Sequence, residues 1–386
     1  MCRTLLKYTC YLILALVASI FLLLGWCATT PVPEGTFFAT VIPLYQGQLP
    51  QTIFGSTVQP LTPPVPADMA PLPRPQNEKF TTLAGTGDQM PNNGLGMCCR
   101  ASAYDDESVR RSVLWYFLQG GRHIDTAALY LNHKPIGTAI KQAMDRGVPR
   151  KEMFIVTKLN DRAYASGKAE IDRLLPQYLK DLQVDYLDLV LLHTPKAFVP
   201  IGQPTNDWSA ARTTAWKALA GAKKAGLVRN IGVSNFNINH LEEINSLVET
   251  KEAPIAANQF MLSPFSPTFA FQIADYCQRH NIAVVAHSSL SGLQKNKAFA
   301  HTTIATIAQS HDQLKTSSQV LLTWALAKGF AVIPGSGNPH HQASNLGIYS
   351  ATLSKKEMSQ LDGLRDDAAF MYMGTDTKED GEKGEM

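Results

Sequence analysis

Gly121-Arg122-His123-Ile124-Asp125-Thr126 reads as a short β-strand that ends on a carboxylate. Two further apolar runs end on an ionisable group: Phe154-Ile155-Val156-Thr157-Lys158 and Leu189-Val190-Leu191-Leu192-His193. Tyr130 follows Asp125 by five residues. Parallel α/β folds carry their reactive groups at the carboxyl ends of the strands. The pattern therefore predicts a barrel whose rim holds Asp125, Tyr130, Lys158 and His193.

Outward from these runs, short apolar segments alternate with amphipathic ones, as in βαβ units. Strands are predicted at 94–98, 121–125, 153–157, 186–192, 228–233, 254–258, 282–286 and 330–333. Helices are predicted at 107–119, 134–146, 168–182, 207–225, 238–249, 267–280, 317–328 and 339–347. Asn237 is placed to cap the helix bearing Leu241 and Ile244, and Thr316 with Gln319 reads as a capping box. Pro176 should kink the third helix. Strand–helix pairs in this number, over about 260 residues, give an α/β fold of the (β/α)8 TIM barrel kind.

A chain of 386 residues, 45% apolar and 17% charged, can form one large domain with extensions. A net charge of +3, without basic clusters interleaved with aromatics, excludes nucleic acid as a partner. The six cysteines form neither a disulfide framework nor a metal-ligand spacing, so no metal site is expected. Cys98 and Cys99 read as pocket-lining or buried thiols, with a redox pair as the alternative.

Residues 1–30 carry an apolar run, uncharged from 8 to 28, with Arg3 and Lys7 before it. A helix of roughly 20 apolar residues spans a bilayer. A single-pass anchor in a secretory-pathway membrane is the favoured reading, a cleaved signal peptide its rival. The side of the membrane taken by the barrel stays open. Residues 31–79 hold nearly half of the chain's 23 prolines and read as a semi-rigid linker, with docking on the barrel as the alternative. The barrel should occupy 80–365 as a monomer, and 366–386 should form a charged, disordered tail.

The four rim groups suit one kind of chemistry. A phenol has an ordinary pKa of about 10, and an adjacent ammonium lowers it. A carboxylate fixes that ammonium in its charged form, and a neutral imidazole orients a substrate oxygen. Such a set protonates a developing alkoxide, as carbonyl reduction requires, with the hydride drawn from a cofactor.

The segment Gly-Gly-Arg-His-Ile-Asp-Thr-Ala-Ala-Leu-Tyr-Leu-Asn (120–132) resembles a signature of the aldo-keto reductase superfamily. So do 154–159, 185–195 (Asp-Tyr-Leu-Asp-Leu-Val-Leu-Leu-His-Thr-Pro) and 228–236 (Val-Arg-Asn-Ile-Gly-Val-Ser-Asn-Phe). The resemblance implies a (β/α)8 barrel that reduces aldehydes and ketones with NADPH or, less often, NADH. It implies Tyr130 as proton donor, Lys158 as its pKa-lowering neighbour, Asp125 paired with Lys158, and His193 orienting a small-molecule carbonyl substrate. By the same resemblance Ser234, Asn235 and Gln259 hold the nicotinamide carboxamide. Ser336 and Asn345 match positions near the adenosine, and the Ser288–Lys297 loop, with Leu290, covers the pyrophosphate.

Three departures from the family pattern bear on ligands. His287 stands where a tyrosine often stacks on the nicotinamide; imidazole is smaller and titrates, so cofactor grip is expected to be weaker or to depend on pH. Gly335 replaces the lysine of Ile-Pro-Lys-Ser, and His341 aligns with an arginine; NADPH-selective members use that pair against the 2′-phosphate. His340 and His341 are left as the local candidates, which makes NADH or dual use a live expectation. Met97 and Cys98 stand at substrate-pocket positions where threonine and tryptophan are common, and the tail Ala368–Met373 could supply apolar contacts instead.

Singly, each rim residue has a plainer explanation: Asp125 capping a turn, Lys158 as surface charge, His193 as a bonded core residue, Tyr130 as packing. Their joint placement favours a site. His123 reads as structural, and His301 and His311 as solvated. The alternative function is a nicotinamide-binding regulatory or sensor barrel, like channel auxiliary subunits, with little turnover.

Overall fold

The computed structural model describes residues 60–103, 105–160, 163, 166–196, 208–290 and 301–366, with strand fragments at 52–53 and 56–57. The apolar segment 8–28, the tail beyond 366 and most of the loop after Ser288 lie outside the described residues. Among the described residues no helix is long and apolar enough to cross a membrane.

An antiparallel hairpin, β1 (Phe80–Thr82) and β2 (Gln89–Pro91), precedes eight parallel strands. These are β3 (Leu95–Gly96), β4 (His123–Asp125), β5 (Phe154–Leu159), β6 (Leu187–Leu192), β7 (Val228–Ser234), β8 (Ala257–Met261), β9 (Ala283–His287) and β10 (Ala331–Val332). Each pairs with its neighbour in sequence. The sheet curls until its edges meet: Gly94 N donates to the Val332 carbonyl at 2.8 Å, and Gly96 N to that of Pro334 at 3.2 Å. The eight predicted strands all form, and β8 starts three residues later than expected. Pro254, which lacks an N–H, cannot donate to the ladder there.

Among the described residues the main helices are α1 (Asp106–Leu118), α2 (His133–Asp145), α3 (Lys168–Leu182), α4 (Trp208–Lys224), α5 (Ile238–Asn245), α6 (Thr268–Arg279), α7 (Thr302–Ser310), α8 (Ser317–Ala327), α9 (Pro339–Leu346) and α10 (Lys355–Asp362). Asn237 caps α5 by accepting from His240 N at 2.9 Å. Thr316 accepts from Gln319 N, but the Gln319 side chain accepts from Lys315 N, so only half of the expected capping box forms at α8. Pro176 does not break α3. It sits on the exposed face, where solvent can satisfy the carbonyl freed one turn earlier. α7 and α10 were not predicted. His301 and His311 are joints rather than solvated side chains: His301 caps α7, and His311 bonds the Thr352 carbonyl at 3.0 Å.

Side chains alternate across a strand, so one parity faces the barrel interior. Phe154, Val156, Leu189, Leu191, Ala257, Ala283 and Val285 form that interior cluster, together with Leu83 and Met90 of the hairpin, which close its amino end. The opposite parity, including Ile155, Val190 and Val284, packs outward against the helices. Following the inward parity to the carboxyl ends leads to Asp125, Lys158, His193, Ser234, Gln259 and His287. Alternation therefore turns six polar residues into one rim.

The described part of the Pro-rich stretch is docked rather than standing off as a spacer. Leu72 N donates to the Leu118 carbonyl at 2.7 Å, and Trp115 Nε1, Arg111 Nη1 and Arg146 Nη1 donate to the carbonyls of Pro63, Thr62 and Pro66. A proline-rich segment has few N–H donors, so the barrel's side chains supply them. Cys98 and Cys99 are joined by a disulfide, which replaces the expected pair of thiols; Cys277 is a buried free thiol.

Candidate active site

β4 delivers Asp125, and the chain then turns through a short 3-10 segment, Ala128–Tyr130, that lifts Tyr130 over the rim. The turn is braced from below: Thr126 Oγ1 donates to Asn132 Oδ1 at 2.6 Å, and Asn132 Nδ2 donates to the Met97 carbonyl at 2.9 Å. Asn132 was not singled out from sequence, although it closes the same signature segment.

The four rim groups converge. Lys158 Nζ donates to Asp125 Oδ1 at 2.6 Å, to the Thr126 carbonyl at 2.9 Å and to Tyr130 Oη at 3.4 Å. The Tyr130 and His193 rings meet edge to face with centroids 5.6 Å apart. Asp125 and Lys158 are buried, while Tyr130 and His193 are half-buried and face the opening. Gln259 Nε2 donates to Asp125 Oδ2 at 2.6 Å, a link absent from the sequence expectation.

Electrostatics assign the protons. Burial would pull Lys158 down, but Asp125 and Tyr130 outweigh it and hold the ammonium above its ordinary value. Burial pushes the Tyr130 phenol up, against the opposing Lys158 charge. The phenol thus keeps its proton at neutral pH, although lysine alone was expected to lower it. Burial, then Lys158 and His287, hold His193 well below its usual value, so its imidazole is neutral. His287 is likewise lowered to about 4, chiefly by burial.

The proposed nicotinamide residues lie beside this cluster. Ser234 Oγ donates to the Gln259 carbonyl at 2.8 Å, and Asn235 Nδ2 donates to the carbonyl of His193 at 3.0 Å. His287 Nε2 lies 3.2 Å from Asn235 Oδ1. Asn235 is held in the left-handed region, φ 63°, which turns its amide towards the rim. Hydroxyl, amide and imidazole groups thus meet in one patch, the kinds of group with which a carboxamide pairs. The buried Ser289 hydroxyl, two residues after His287, has no hydrogen-bond partner among the described residues. This donor set fits the cofactor. Leu290, near the end of the described stretch after β9, is half-buried against the core.

Beyond β10, Ser336 Oγ accepts from Asn338 N at 3.1 Å, and the carbonyl of buried Asn345 accepts from Asn93 Nδ2 at 2.7 Å. His340 and His341 are exposed. They are not the only basic groups there, because Arg100 lies against Gly335. Met97 is fully buried in the core, and Cys98 is half-buried beside it.

Residues 93–366 match the Aldo/keto reductase family. The chain is 32% identical over 286 residues to the 9,11-endoperoxide prostaglandin H2 reductase of Trypanosoma cruzi, covering 72% of this chain and 89% of that protein. It is 32% identical to the glyoxal reductase of Bacillus subtilis, covering 76% and 95% of the two chains. An aldo-keto reductase of Bombyx mori in complex with NADP superposes with a TM-score of 0.67 at 26% identity, covering 80% of this chain and 97% of that one. The chain belongs to the aldo/keto reductase family. By class it is an NAD(P)H-dependent carbonyl reductase.

Proposed function

We propose that this protein reduces a small aldehyde or ketone to an alcohol, with Tyr130 as the proton donor. The observation that carries the assignment is the position of Lys158 Nζ, within hydrogen-bond reach of both Asp125 and the Tyr130 phenol. When bound, a reduced nicotinamide supplies the hydride. Ser234, Asn235 and Gln259 would hold its carboxamide, and His287 its ring face.

The chain's own residues do the rest. Neutral His193 donates to the substrate oxygen and aims it at Tyr130 Oη. As negative charge develops on that oxygen, Tyr130 transfers its proton. The phenolate left behind is stabilised by Lys158, whose charge is fixed by Asp125 and the Thr126 carbonyl. Burial makes these charges act in a low dielectric, where each is worth more than in water.

Tyr130→Phe tests the role. Turnover should fall by about 10²–10⁴, the usual weight of a general acid, while dinucleotide binding followed by fluorescence stays within about threefold. Near-normal turnover would overturn the assignment. Dinucleotide binding by the wild type without turnover on an aldehyde panel would favour the regulatory-barrel alternative. Residues 8–28 support, on sequence alone, a single-pass anchor. Release of the full chain by alkaline carbonate extraction of membranes would refute it.

A further inference from the structure

We propose that Arg100, on the loop after β3, supplies the positive charge that reads the cofactor's 2′-phosphate, resting on the carbonyl-reductase reading above and extending it to the adenosine end. Gly335 and Gly337 flank Ser336 beyond β10. Neither has a positive φ, so backbone conformation does not call for glycine at either place. Space does. A Cβ on Gly335 would stand 2.9 Å from Arg100 Nη1, and one on Gly337 would press on Ser102 Oγ and stand 2.9 Å from Thr62 Oγ1. The side chains missing from 335 and 337 have made room for groups arriving from elsewhere in the chain.

Those groups form an anion-seeking set. Arg100 is buried, with its guanidinium pinned by the Gly96 carbonyl through Nη1, by Ser102 Oγ at 3.1 Å through Nε, and by Met97 Sδ at 3.5 Å through Nη2. A guanidinium stays charged at any working pH and matches phosphate in a planar fork. The Thr62 hydroxyl, buried completely, has no hydrogen-bond partner among the described residues and stands beside Gly337, next to Ser102. His340 and His341 are exposed on α9. The cation absent from position 335 is therefore restored in space by a residue 235 positions earlier, an exchange that aligned motifs do not reveal.

The test titrates full-length wild type, Arg100→Met and Arg100→Lys with NADPH and NADH, following protein fluorescence, and with 2′,5′-ADP by calorimetry. Arg100→Met should weaken NADPH and 2′,5′-ADP by roughly tenfold to a hundredfold, the weight of one charge-assisted contact, and NADH by less than about threefold. Arg100→Lys should recover part of the loss. Equal weakening of both dinucleotides would overturn the proposal, since it would mean a role at shared groups or in the fold. No weakening of NADPH would overturn it as well. Wild type that binds neither dinucleotide would instead sink the carbonyl-reductase reading.

Discussion

Gln259 Nε2 donates to Asp125 Oδ2 at 2.6 Å, on the side of the carboxylate opposite Lys158. The residue assigned to the nicotinamide amide thus also holds the anion that fixes the catalytic ammonium. Gln259→Met leaves one buried carboxylate oxygen without its donor. A hydrogen bond to a charged group is worth about 1.5–3 kcal/mol. The variant should lose roughly tenfold to a hundredfold in kcat/KM, with kcat falling as well as dinucleotide affinity. Steady-state kinetics with a parallel fluorescence titration separate the two, and loss of affinity alone would deny the link.

Lys158 and Asp125 are a buried pair, each almost without solvent contact. Removing one partner strands the other charge, at a cost of about 3–5 kcal/mol. Lys158→Met should therefore be less stable in urea than Lys158→Met combined with Asp125→Asn, while both remain inactive. A double variant no more stable than the single one would contradict a compensated buried pair.

His133 and His287 are each lowered to about 4, and His193 lies well below its usual value. Unfolded, all three return to about 6.5. Between those limits the unfolded chain binds more protons than the folded one. Stability should then rise with pH from about 4 to 6.5 and be fully present above that window. Urea midpoints at about pH 7 and pH 5 measure the slope, and His287→Gln should reduce it. An unchanged slope in that variant would mean that His287 is not a buried neutral group.

The strap at residues 60–75 is bonded to α1 and α2 through Trp115, Arg111, Arg146 and the Leu118 carbonyl. A fragment starting at residue 80 should melt at least about 5 °C below one starting at residue 60, given about 1 kcal/mol per hydrogen bond and roughly 2–4 °C per kcal/mol at this size. Equal melting temperatures by calorimetry would reduce the strap to decoration.

Much of the rim was legible because a strand's period is two. Val156 to Lys158 and Leu191 to His193 are single inward steps, so an ionisable residue at the tip of an apolar run declares its own direction. Ser354-Lys355-Lys356-Glu357 was an equally clear capping box, formed in full at α10, and it went unused in predicting helices. Other features had no local signal. The Gln259–Asp125 bond crosses the barrel between residues 134 positions apart. Arg100 reaches Gly335 only because the first and last strands become neighbours when the sheet closes. The strap read as a spacer because three of its bonds run from barrel side chains to proline-region carbonyls, and carbonyls are the same in every residue.

Leu83 and Met90 stopper the barrel at the end away from Tyr130. Nothing can be threaded through such a vessel. Reactant, alcohol and dinucleotide would all come and go on the side where the chemistry happens.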